Sequence, residues 1–279
     1  MISTNSHVGK PVAGVAAGVE DEPSGPDIDR MEAVFAGPDG TRQQRRWLEV
    51  AGQLRLEELG PVAPFPVVPG RRWGPGWWWS ATTSRHIAHG SQAMCTQLMF
   101  LDRDPRIVGL AARPVRLTWR DAGSGRVLTW VPQLFARYAD GRGLLADCPA
   151  TGGPAAARAA RAATVLQAAC GAVGFTYRRL APPDKVVAAN VRWLAGYRHP
   201  RHRGAGLLEQ AVLEAFAIPR PLMAGAAAAG EVLAALPVLY HALWRGRLSA
   251  DLERPLGAHT LIRPGPDADT APRQERQGR

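Results

Sequence analysis

The sequence predicts an α/β protein: a mixed sheet core followed by a small helical unit that ends in a strand. Three observations predict it. Short β-prone runs separated by Gly-rich turns fill positions 77–148, a helical run then returns to one more strand, and beyond Asp184 apolar residues recur at i, i+3, i+4 spacing.

Residues 1–45 are rich in Gly, Pro, Ser, Asp and Ala with little periodicity and read as a mobile tail, so removing residues 1–40 is expected to leave folding intact. From Trp47 the chain changes character. The run Trp77-Trp78-Trp79-Ser80-Ala81-Thr82-Thr83 follows a Pro/Gly loop and predicts a strand, whose alternation puts Trp77 and Trp79 together on a core face. Ser91 to Asp102 carries Met94, Leu98 and Leu101 at helical spacing. Ile107 to Trp119 and Val127 to Tyr138 read as two β segments joined by a turn at Asp121 to Gly125. A second turn, Asp140-Gly141-Arg142-Gly143, leads into a buried strand from Leu144 to Cys148. Pro154 opens a helix with Val165, Leu166, Ala169, Cys170 and Val173 on one face and Gly174 at its close. Phe175-Thr176-Tyr177 then returns as a strand, a β-α-β crossover that sets it parallel to the Leu144 strand.

Helices are predicted over Val187 to Leu194, Leu207 to Phe216 and Leu236 to Trp244, the last with Pro237 in its first turn and Gly246 at its end. The Ala-rich run Ala224 to Ala235, interrupted by Gly225, Gly230 and Glu231, is a weak helix. Leu248 to Leu252 reads as a short helix and Thr260 to Ile262 as a strand, which suits a winged-helix-like unit. The organisation is thus a tail at 1–45, an α/β core at 46–185, a helical unit at 186–262 and a second tail at 263–279.

The formal net charge is +10, and since residues 1–45 hold four basic and seven acidic residues, a net −3, positions 46–279 carry +13. Such an excess points to a polyanion partner. Three cysteines, Cys95, Cys148 and Cys170, have no C-x-x-C spacing and give neither a disulfide framework nor a thiolate zinc site. With no run of about 18 apolar residues and no apolar leader after a basic start, the expected location is the cytoplasm. Neither a nucleophile elbow nor a phosphate-binding P-loop motif occurs. His86/His89 and His199/His202 lack a third ligand and read as solvated or capping histidines.

A mixed sheet with hairpins, a β-α-β crossover and an acid at a strand end is the general shape of a restriction-endonuclease-like core, and the local residues narrow the reading. Arg85-His86-Ile87-Ala88-His89-Gly90-Ser91, Val131-Pro132-Gln133-Leu134-Phe135-Ala136-Arg137, Ala139-Asp140-Gly141 and Leu145-Ala146-Asp147-Cys148 are followed by Ala189-Asn190-Val191-Arg192-Trp193-Leu194-Ala195-Gly196-Tyr197-Arg198-His199-Pro200-Arg201. In that order they resemble the TnsA-like endonuclease subunits of heteromeric transposases, over roughly Trp47 to Ile262, most specifically in the Asn190 to Arg201 block. The resemblance implies a cut at transposon-end DNA that depends on Mg²⁺ or Mn²⁺. It also implies a TnsB-like transposase partner that cuts the other strand, with an ATPase in the same system.

The catalytic positions that the resemblance assigns are altered. The helix Glu falls on Gly90, a second helix Glu on Met94, the middle-strand Asp on Gln133, and the Arg after the third acid on Pro149; Asp147 alone is retained, as the one metal ligand. Gly90 offers no ligand, Gln133 only a neutral carbonyl, and Pro149 no cation. Between Leu59 and Leu208 there is no Glu, and Asp102 is the nearest thing to a second acid. Cutting is therefore expected to be impaired, and restoring Gly90→Glu, Gln133→Asp and Pro149→Arg together is the change expected to rebuild it. Arg192, Arg198 and Arg201, with Trp193 and Tyr197 between them, are the candidate DNA contacts. The alternatives are a non-catalytic adaptor, which would bind DNA as well in EDTA as in Mg²⁺, and a stand-alone DNA-binding regulator.

Overall fold

The computed structural model describes residues 27–37, 39–65, 74–148 and 153–266, without the side chains of 153–155. Its N-terminal part departs from the sequence reading. Met31 leads into β1 (Glu32–Ala36), which buries Ala33 and Phe35, and the chain turns through Gly40, at φ 79°, into β2 (Arg42–Arg46). The predicted tail is thus built into the core from Met31 onward, while residues 1–26 lie outside the described residues. Periodicity misses this hairpin because β1 is five residues long with two inward side chains. Its partner β2 reads Arg-Gln-Gln-Arg-Arg, a charged sheet edge that looks like loop. Trp47 then opens α1 (Trp47–Val50), and its fully buried indole donates to the carbonyl of Ala169 at 2.7 Å.

β3 (Gly76–Trp79) and β4 (His86–His89) form an antiparallel hairpin ahead of α2 (Gln92–Arg103), whose cap Ser91 accepts from the amide of Met94. The predicted strand is present only over its first half, with Ala81 to Thr83 in a turn, and it runs in the opposite phase. Trp78 is buried and Trp77 is 70% exposed, because the indole of Trp78 turns in to donate to Asp102 on α2 at 3.0 Å.

Each of the two long β segments splits. β5 (Ile107–Ala112) and β6 (Arg116–Arg120) are separated by Arg113, at φ 49°, and by Pro114, which has no amide proton to give a ladder. β7 (Val127–Trp130) and β8 (Leu134–Tyr138) are separated by Val131-Pro132-Gln133. The halves then serve different sheets. β6 and β7 complete an antiparallel sheet in the order β2-β1-β6-β7. β5 and β8 join β9 (Gly143–Asp147) and β10 (Thr176–Arg179) in the order β10-β9-β8-β5. The predicted crossover is present: α3 (Gly153–Gly171) carries the chain from β9 to β10, which run parallel with Thr176 opposite Leu144.

This second sheet is buried on both faces, which is why β9 reads as an unbroken apolar run. Leu134, Ala136, Leu144 and Ala146 face α2 and the C-terminal helices, whereas Phe135, Leu145 and Tyr177 face α3 and the first sheet. Gly143 starts β9 because a Cβ there would stand 2.9 Å from the rings of Phe135 and Phe175.

The C-terminal part comprises α4 (Lys185–Ala195), capped by Asp184, then α5 (Gly206–Ala215), β11 (Arg220–Pro221), α6 (Leu222–Ala229), α7 (Val232–Trp244), β12 (Leu248–Ala250) and β13 (Leu261–Pro264). Its small sheet has the order β11-β13-β12, all antiparallel. Three details correct the sequence reading. α7 begins at Val232 behind the cap Glu231, so Pro237 lies inside the helix and not in its first turn. Leu248–Ala250 is a strand and not a helix, since β13 supplies its ladder partner. Arg263 and Pro264 belong to that ladder, and residues 267–279 lie outside the described residues. One apolar cluster runs from Leu98 and Leu134 through Val191 to Trp244, so the helical unit and the sheet share a core. No single helix among the described residues is long and apolar enough to cross a membrane, and α6 and α7, which are so only together, are bent by 118°.

Candidate functional site

Asp147, the retained acid, closes β9 with 3% of its surface exposed. Its carboxylate is held from three directions. One oxygen accepts from the indole Nε1 of Trp130 at 2.7 Å and from the Tyr177 hydroxyl at 2.5 Å, and the other accepts from the backbone amide of Gln133 at 3.0 Å. Burial pushes the Asp147 carboxyl above its ordinary range, against the pull of those donors and of the charge on Arg179. The same environment raises the Tyr177 hydroxyl, and burial, helped by the Asp147 charge, pushes the Cys148 thiol up to about 12. Gln133 is also committed, its Oε1 accepting from the amide of Cys148 at 2.9 Å.

Gly90 and Gln133 are linked through Arg113. A Cβ on Gly90 would stand 2.3 Å from the ring of Phe65, that ring lies 5.0 Å beneath the guanidinium of Arg113, and the amide of Arg113 donates to the Gln133 carbonyl at 3.0 Å. Arg113 also feels the charge of Asp147. Of the five positions that the resemblance assigns, Gln133 and Asp147 are thus in direct contact, Gly90 is joined to them only through Phe65 and Arg113, and Pro149 lies outside the described residues. Met94, at the position of the second helix Glu, is buried in the core.

This donor set does not fit a divalent cation. Mg²⁺ requires near-octahedral oxygen ligands, whereas three of the roughly four acceptor sites of the Asp147 carboxylate are filled by protein donors and Gln133 faces a backbone amide. Asp102 cannot join it. Its two oxygens take Ser80 Oγ, the Trp78 indole and the amides of Ala81 and Thr82, which fixes the turn of the β3–β4 hairpin. Among the described residues, no three His, Cys, Asp or Glu side chains are grouped so as to hold a metal. The second histidine pair has packing roles: His199 caps the turn at Arg201 and lies 4.5 Å from Trp79, and His202 packs 5.3 Å from Tyr197.

A further obstacle to rebuilding the site follows from Phe65. Gly90→Glu, alone or with Gln133→Asp and Pro149→Arg, is expected to lower stability by about 1–3 kcal/mol, the usual effect of overpacking, and to restore no cutting while Phe65 fills the space. Thermal unfolding of Gly90→Glu checks this, and an unchanged Tm would show that the ring gives way freely.

The candidate DNA contacts divide. Arg192 on α4 and Arg201 in the turn after it are exposed, Arg201 donating to His202 at 3.1 Å. Arg198 is turned inward: it donates to the carbonyls of Trp79 at 2.8 Å and Ala195 at 2.7 Å, and its guanidinium lies 3.9 Å from the Trp78 ring centroid. It ties α4 to the β3–β4 hairpin and is corrected from DNA contact to packing. Asn190 likewise has a structural role. Its amide donates to the carbonyls of Leu252 and Arg254 and accepts from Leu256, clamping the loop between β12 and β13 onto α4. Beside Arg192, Trp193 is 55% exposed and stacks edge-on with Tyr240, which packs 4.8 Å from Tyr197. Sequence reading missed a second basic surface, formed by Arg106 before β5, Arg142 before β9, Arg178 on β10 and Arg245 and Arg247 after α7, whose only trace in the sequence is the overall positive excess.

Compared with known proteins, the chain matches no protein-family model and no curated protein.

Proposed function

We propose that this chain is a TnsA-like subunit of a heteromeric DNA transposase that binds transposon-end DNA beside a TnsB-like transposase, without an effective metal-dependent cut of its own. The observation that carries the reading is the direct contact of Gln133 with Asp147, with Arg113 bonded to Gln133 and reaching over the Phe65 ring that lies against Gly90, which supports a restriction-endonuclease-like ancestry with its acids converted into structure. The order helix, strand, helix, helix, strand, strand in α5 to β13, with its sheet ordered β11-β13-β12, supports a winged-helix-like unit behind that core. Fold analogy alone does not specify function, so the chemistry of the site decides between cutting and holding DNA. The saturated carboxylates favour holding. The protein then acts as an adaptor in the cytoplasm, and an ATPase of the same system is a further partner.

Binding to duplex DNA is expected to be equal in EDTA and in Mg²⁺ and to weaken about 10³-fold or more between roughly 50 and 200 mM salt, as release of counterions from several phosphates requires. Electrophoretic mobility shifts with a transposon-end duplex, with and without a TnsB-like transposase, test it. No binding at low salt in either condition overturns the DNA reading, and failure to form a joint complex with the transposase overturns the TnsA-like one.

A further inference from the structure

Five arginines from separate stretches of chain converge on one cleft of about 840 Å³, formed where the second sheet meets the end of α7. Arg106 precedes β5, Arg142 precedes β9, Arg178 lies on the edge strand β10, and Arg245 and Arg247 follow α7. Asp140 is the one acid on its wall. Arg106 faces Asp104 and Arg142 faces Asp140, both at 2.7 Å, and Arg247 faces Glu209. Arg178 and Arg245 are exposed and pair with no acid among the described residues. A second hollow, of about 390 Å³, shares Arg245 and Arg247 and continues past Arg203. Like charges gathered in this way repel one another unless an anion lies between them, and guanidinium groups match phosphate oxygens in paired N–H···O bonds.

We propose that this arginine cleft holds the sugar-phosphate backbone of duplex DNA, with Arg178 and Arg245 as its principal contacts. The proposal rests on the DNA reading above and gives it a place. The cleft presents charge with little stacking platform: its one aromatic residue, Tyr138, is partly buried and has the Arg142 guanidinium 5.7 Å from its ring. That favours a duplex, whose bases stay stacked, over a single strand, whose affinity comes largely from stacking on aromatic side chains. The ion pairs of Arg106 and Arg142 are exposed and worth little, so both side chains are available to phosphates as the duplex arrives. Leu144, at the other end of β9 from Asp147, lines the cleft, which puts the bound backbone about 10 Å along the strand from the buried carboxylate. Binding here is independent of the state of Asp147.

The double variant Arg178→Ala/Arg245→Ala tests the proposal. Its affinity for a transposon-end duplex at low salt is expected to fall about 10-fold or more, and the slope of log affinity against log salt to become shallower by about 2, since each phosphate contact contributes about 0.9. Arg178→Lys/Arg245→Lys is expected to keep most of the slope, and Arg45→Ala/Arg126→Ala, at two exposed arginines outside the cleft, to leave it unchanged. Inorganic phosphate at matched ionic strength should not displace the duplex, which separates a backbone track from a site for one free phosphate. Thermal unfolding shows whether both alanine variants are folded, and the lysine pair reports on the same site should they not be. Unchanged affinity and slope in Arg178→Ala/Arg245→Ala, or tighter binding of a single strand than of the duplex, overturns the cleft while leaving the DNA-binding function standing. Absence of duplex binding by the natural chain overturns both.

Discussion

Deleting residues 1–40 is expected to abolish folding. The deletion removes Met31, Ala33 and Phe35, all buried in the cluster that packs the first sheet against α3, and it removes β1, which lies between β2 and β6 and pairs with both. Burial of a large apolar side chain is worth about 1.5–3 kcal/mol, and the loss of a central strand leaves β2 and the β1-facing ladder groups of β6 without partners. Together these approach the roughly 5–15 kcal/mol by which a folded domain is stable. Circular dichroism and a thermal melt of the truncated chain check this. A cooperative transition close to that of the full chain would show that β1 and β2 are dispensable.

Asp147→Ala is expected to destabilise the protein by on the order of 3 kcal/mol, because it strands the Trp130 indole, the Tyr177 hydroxyl and the Gln133 amide around a small void. The Tm should fall by about 10 °C. Asp147→Asn should be milder, since it keeps one acceptor oxygen, and should change the pH profile in a definite sense. An acid whose folded pKa lies above its ordinary value of 3.8 favours folding most below that value, and its contribution is lost as pH rises through the folded pKa. Stability of the natural chain should therefore fall relative to the Asn variant as pH climbs above about 3.8. Denaturant melts at several pH values measure it. A profile shared by both proteins would mean that Asp147 titrates as if exposed.

The second sheet and its crossover were legible because their signals are local: an apolar run at Leu144 to Cys148, a helical face through Leu166 and Cys170, and a positive-φ glycine at Gly174. The helices beginning at Ser91 and after Asp184 were legible for the same reason, and these two residues turn out to cap them. What was not legible depends on partners remote in sequence. Alternation predicts that Trp77 and Trp79 share a face, but not that Asp102 draws Trp78 inward instead. The split at Arg113 and Pro114 looks like one strand until the halves find different sheets. Asp147 shows the same limit at the site. The residue types told that its metal companions were missing, while its conversion to a structural acceptor is visible only where Trp130, Gln133 and Tyr177 converge. Arg198 looked like a DNA contact from its neighbours in sequence, and the carbonyl of Trp79 claims it.

On the function proposed, the chain holds transposon-end DNA and does not cut it. Nicking of a supercoiled plasmid bearing the transposon ends tests it most directly, with the natural chain, Mg²⁺ or Mn²⁺, and a partner transposase whose own catalytic acids have been replaced. The predicted result is no nicking above the EDTA control while the DNA remains bound. Metal-dependent nicking that disappears in Asp147→Asn, with the variant still folded and still bound to DNA, would contradict it.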